Sequence, residues 1–161
     1  MVEVLELEVT NLGLPLDTNM TFIDKVFLYI LDNRSKGKRT CFDILYLKEW
    51  LQWAINKNYL FTSTDDKDNI TGVLVVCPIG KWLKTPNIQQ IIDALSKNDK
   101  ESTDYYIMDA LSDNKESRKD LVNKALDRFK DIESDQNVNL FAQVNDKIIK
   151  FNKQTILTLK N

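Results

Sequence analysis

The chain has 161 residues, of which 43% are hydrophobic and 29% charged, with a formal net charge of −2. That size and balance fit one globular domain with its own core, and the slight negative charge supplies no general field for a polyanion. Histidine is absent, which excludes Ser-His-Asp and Cys-His catalysis and removes the commonest transition-metal ligand.

Residues 2–9 read as a strand. Val2, Val4, Leu5, Leu7 and Val9 are apolar and Glu3, Glu6 and Glu8 are not, with a slip at Val4-Leu5 that suits a bulge or an edge position. Three glutamates without a basic residue do not make a signal or transit peptide. No apolar run reaches the roughly 18 residues of a membrane span. The expected location is the cytoplasm, or a virion packaged from it. Residues 11–17, with Gly13 and Pro15, form a loop. A helix starts near Thr21, where Thr21 and Asp24 have the spacing of a capping box, and Phe22, Val26, Phe27, Ile30 and Leu31 make its apolar stripe. A polar, basic loop over 33–39 leads to a second helix over 42–56, preceded by the capping pair Thr40 and Asp43. Ile44, Leu47, Trp50, Leu51, Ala54 and Ile55 share one face of it, with Trp53 beside them.

From there the period falls to two. Residues 59–64 and 70–77 read as strands around a polar turn at 65–69, the pattern of a hairpin. The run Val73-Leu74-Val75-Val76-Cys77 suits a strand buried on both faces. Cys77 and Cys41 stand apart among apolar neighbours, so they read as buried, reduced thiols, and no metal site is expected. Pro78 and Gly80 end the strand, and Pro86 precedes a short helix over 87–95. Residues 104–111 read as a strand. An amphipathic helix comes next over 117–132, with Leu121, Val122, Ala125, Leu126 and Phe129 inward. Residues 137–144 read as a strand, 146–151 as one helical turn and 154–159 as a last strand. No repeat, low-complexity tract or linker divides the chain, so residues 1–161 form a single domain in this reading. Helices, a hairpin and then a strand-helix-strand crossover predict an α/β fold: a central mixed sheet with helices on both faces.

This order resembles the GNAT-type (Gcn5-related) N-acyltransferase fold. Most of the likeness lies in residues 42–76, where a helix with paired tryptophans leads into a strand, a polar turn and Ile70-Thr71-Gly72-Val73. Residues 104–129 are similar to the family's fourth strand and following helix. The resemblance implies an acyl-CoA cofactor whose pyrophosphate meets backbone amides at the start of that helix, at a motif R/Q-x-x-G-x-G/A. The matching stretch is Arg118-Lys119-Asp120-Leu121-Val122-Asn123. It keeps the arginine, but Leu121 and Asn123 replace the two small residues, and no glycine occurs from 81 to 161. If acyl-CoA binds, Lys115, Arg118, Lys119 and Leu121 are the residues that would meet it. The family's general acid, often a tyrosine, is matched by Asn152, which has no proton of useful acidity. Base candidates for an amine are Asp104, Asp109 and Glu49.

With the glycines and the tyrosine both replaced, the expected function is that of a degenerate acyltransferase-like domain: no catalysis, no cofactor, and a protein partner. An active acyl-CoA-dependent N-acyltransferase with a divergent pyrophosphate loop is the alternative. A small adaptor or inhibitor docking through residues 77–85 is a third reading, with Trp82 as the loop residue that plugs a groove or meets the partner. Trp50 and Trp53 are expected in the core. Nucleic-acid binding ranks lowest, since no basic stripe interleaved with aromatics appears. Lysine in excess of arginine and many asparagines resemble the products of AT-rich genomes, bacteriophages among them, and suggest an accessory or virion component.

Overall fold

A computed structural model describes residues 20–35, 46–97, 104–144 and 147–160. The expected strand at 2–9, the loop at 11–17, the Thr40–Asp43 cap and Cys41 lie outside them. In chain order the elements are α1 (Phe22–Ser35), α2 (Leu47–Lys57), β1 (Leu60–Thr64), β2 (Ile70–Gly80), α3 (Ile88–Leu95), β3 (Asp104–Ser112), α4 (Lys115–Arg128), a single turn α5 (Asp131–Ser134), β4 (Leu140–Val144), β5 (Lys147–Phe151) and α6 (Lys153–Leu157), with a 3₁₀ turn (Thr158–Lys160) at the end.

Local chemistry sets most boundaries. The Thr21 hydroxyl accepts the Asp24 N–H at 3.3 Å and donates to the Asp24 carboxylate at 2.8 Å, so the expected cap starts α1. Asn58, at φ 64°, ends α2 in the left-handed conformation that asparagine tolerates. Asp65 accepts the N–H groups of Lys67 and Asn69 at 2.8 and 2.9 Å and so closes the β1–β2 turn. Asn87 and Gln90 form a reciprocal capping box at 2.9 Å in both directions and fix the start of α3. Asn114 accepts the Ser117 N–H at 2.8 Å, so α4 begins at Lys115, ahead of the expected Ser117.

The five strands form one mixed sheet in the order β1-β2-β3-β4-β5. All neighbours are antiparallel except the parallel pair β3–β4. Side chains alternate across a strand, and β2 uses both faces. Val73, Val75, Cys77 and Ile79 enter a core shared with α1, α2 and α3, while Leu74 and Val76 enter one shared with α4, α5 and the C-terminal turn. The mixed sheet therefore has helices on both faces, as its sequence order predicts, and the apolar run of β2 is its doubly buried strand.

Two expectations are corrected. Residues 146–151 are not a helical turn: Lys147–Phe151 is strand β5, paired with β4 from Val144↔Lys147 to Leu140↔Phe151. Residues 154–159 are not a strand: Asn152 accepts the Gln154 N–H at 2.9 Å and caps α6, and the 3₁₀ turn comes after it. Short apolar runs such as Lys-Ile-Ile-Lys-Phe fit either period. Pairing with β4 decides the first, and docking of Ile156, Leu157 and Leu159 on the second core decides the other.

Candidate functional site

Two places carry chemistry: the junction of β3 with α4, and the loop after β2. At the junction, Lys115, Arg118 and Lys119 are exposed on the first turns of α4. Leu121 is buried, and a Cβ placed on Gly72 would lie only 2.7 Å from its Cδ1 and 3.2 Å from the Leu111 carbonyl oxygen. Gly72 thus makes room for Leu121 against the sheet, and the position matched to a small residue holds a core side chain. The Asn114 cap takes one of the amides that would otherwise face an anion. Asp120 pairs with Lys124 at 3.1 Å, and Asp113 accepts the Tyr29 hydroxyl at 2.9 Å.

The base candidates do not converge. Glu49 is exposed on α2. Asp109 is buried in mid-β3 opposite Val75, and its Oδ1 accepts the Ala110 N–H at 3.0 Å. Asp104 opens β3, at the end away from α4. Asn152 serves as the cap of α6, and Phe151 packs on the second core. Tyr105 is buried with its hydroxyl donated to Asp131 at 2.7 Å; burial first, and then the Asp131 carboxylate, push its ionisation well above the ordinary tyrosine range. Cys77 is a fully buried thiol whose ionisation burial also raises.

The parallel pairing of β3 with β4 runs only through Tyr105↔Leu140, Tyr106↔Phe141 and Ile107↔Ala142. Both strands continue past it, so they part. On the α4 face of the sheet lies a cavity of about 190 Å³. Its apolar lining includes Leu74, Ile107, Leu121, Ile156 and Leu159, and its two polar lining residues are Ser112 and Arg118.

The loop after β2 is held by Asp104. This carboxylate has no solvent exposure. It accepts from Lys81 Nζ at 2.9 Å and from the N–H groups of Trp82 and Asn139 at 3.0 and 2.9 Å. Lys81 also donates to the Asn137 carbonyl. Trp82 turns inward: its indole N–H donates to the Ile79 carbonyl at 2.8 Å and the ring packs on the first core. The next residue, Leu83, is fully exposed, and the α3 residues Ile88 and Ile92 are nearly half exposed. Sequence reading singled out Trp82 in this loop and missed Leu83; two adjacent apolar residues between lysines were the only signal for it.

Among the described residues no group of three or more Asp, Glu, Cys or His side chains is placed to hold a metal ion, and no helix is long and apolar enough to cross a membrane. Comparison with family models, with curated proteins and with solved structures gives no match.

Proposed function

We propose that this chain is a non-catalytic, acyltransferase-like binding domain whose partner is a protein docking on the loop around Leu83. One observation carries the reading. The carboxylate that the resemblance offers as a base, Asp104, is committed to the clamp that pins both residues before Leu83. An apolar side chain presented on a pinned loop loses little conformational freedom on binding and suits an apolar pocket in a partner. The cap role of Asn152 and the buried Leu121 support the same reading, because neither serves thiolate protonation or phosphate contact.

A photo-crosslinker placed at position 83 should capture one protein from the source extract, competed by excess unlabelled chain and lost when Ile88 and Ile92 are both changed to Asp. Capture equal to that from a crosslinker at exposed Lys119 would refute the docking surface.

A second reading, an acyl-CoA-dependent N-acyltransferase, draws on the parting of β3 and β4 beside α4. Calorimetry with acetyl-CoA and longer acyl-CoAs separates the two. The binding reading expects no turnover with any amine; turnover that falls when Arg118 and Lys119 become Ala would establish the second.

A further inference from the structure

We infer that the cavity under α4 binds a medium-chain carboxylate, a linear amphiphile of about six to eight carbons. The inference goes beyond the protein-binding reading and does not involve the loop around Leu83. Interiors are close-packed, with few voids larger than a water molecule. An apolar cavity of roughly 150 Å³ is enough to bind benzene in another protein, and this one measures about 190 Å³. A small side chain helps keep it open: Ala125 lines it from α4.

The lining is asymmetric. Every lining residue is apolar except Ser112, the last residue of β3, and Arg118, in the first turn of α4. Arg118 is exposed, so the lining reaches the surface there. No ion pair engages its guanidinium among the described residues, while nearby Asp120 is paired with Lys124 and Asp113 accepts from Tyr29. An apolar cavity whose lining includes this cation and one serine matches an alkyl chain with an anionic head. The guanidinium binds a carboxylate with charge-assisted hydrogen bonds, and the first turn of α4 adds the positive end of its dipole. The cover is light: α6 and the 3₁₀ turn lie on α4 through Ile156, Leu157 and Leu159, anchored by Lys153 Nζ to the Asp135 carbonyl at 2.6 Å.

The test is calorimetry of the full chain at neutral pH with hexanoate, octanoate, decanoate and 1-octanol. Each methylene from hexanoate to octanoate should tighten Kd about fourfold, and decanoate should gain nothing further. Arg118→Gln should weaken octanoate about tenfold and leave octanol unchanged. Ala125→Leu should abolish both. If Ala125→Leu does not fold by circular dichroism, Leu159→Ala replaces it and should move the optimum toward decanoate. No saturable binding at millimolar ligand, or binding indifferent to chain length and to both cavity variants, overturns the proposal. So does binding of acyl-CoA without binding of the free carboxylates.

Discussion

Replacing Asp104 with alanine should lower the unfolding free energy by about 2–4 kcal/mol, read from urea titrations of the variant against the natural chain. The carboxylate is wholly buried and accepts from two backbone N–H groups besides Lys81. Its removal orphans the Trp82 and Asn139 amides, at roughly 1–3 kcal/mol each. The lysine matters less. Its side chain is 43% exposed, so water solvates it once the carboxylate is gone. Asp104→Asn retains an acceptor and should cost about half as much. The two variants also separate roles: an acyltransferase base would lose turnover fully in Asp104→Asn, whereas a clamp loses only part of its hold on the loop. A loss below about 0.5 kcal/mol in Asp104→Ala would mean that the clamp does not hold the loop in solution.

Phe129→Ala should be as damaging or more so, at about 3–5 kcal/mol. Phe129 caps α4 and is only 6% exposed. Its ring meets Tyr105 at 4.8 Å, Tyr59 at 5.9 Å and Phe61 at 6.3 Å between centroids. The Arg128 guanidinium lies 4.6 Å from the ring centroid on the solvent side. Through Tyr59 the contacts continue to Trp53 and Trp50, each step at 5.5 Å, so one ring joins the α4 side of the sheet to α2. Truncation removes the transfer energy of the ring and leaves a cavity walled by other rings, which cannot close on it. Phe129→Leu should recover about half of the loss, and near-ultraviolet circular dichroism should weaken in the alanine variant as Tyr59, Tyr105 and Trp53 lose fixed surroundings. A loss under about 1 kcal/mol would show that the aromatic cluster rearranges freely.

Much of the fold was legible because its signals are local. The Thr21–Asp24 cap, the turn over 65–69 and the unbroken run from Val73 to Cys77 need no distant partner to be read. The C-terminal segment beyond Val144 was not legible. Lys147–Phe151 and Lys153–Leu157 take their forms from β4 and from the α4 core, and neither neighbour is visible in a short window of sequence. The candidate site failed in the same way. That Asp104 clamps Lys81 and Trp82 depends on strand register joining residues far apart in the chain. That Trp82 turns inward and Leu83 outward has no sign in the pair itself. The cavity owes part of its space to what Ala125 lacks, and an absent side chain leaves no periodicity to detect.

The short parallel seam has a consequence for how the chain reaches this structure. β1–β2 and β4–β5 pair strands that are close in sequence and can form early, whereas β3–β4 joins strands on either side of α4 and α5. Closing that seam carries the larger loop-closure entropy and returns only three residue pairs. A chain with the seam still open has two unfinished sheets, with Tyr105–Ile107 on one bare edge and Leu140–Ala142 on the other. Those edges are apolar and unguarded, so this is the stage most open to pairing with another copy. Once the seam closes they are hidden, and the sheet is bordered among the described residues by β1 and by β5, whose exposed Lys147 and Lys150 discourage further strand addition.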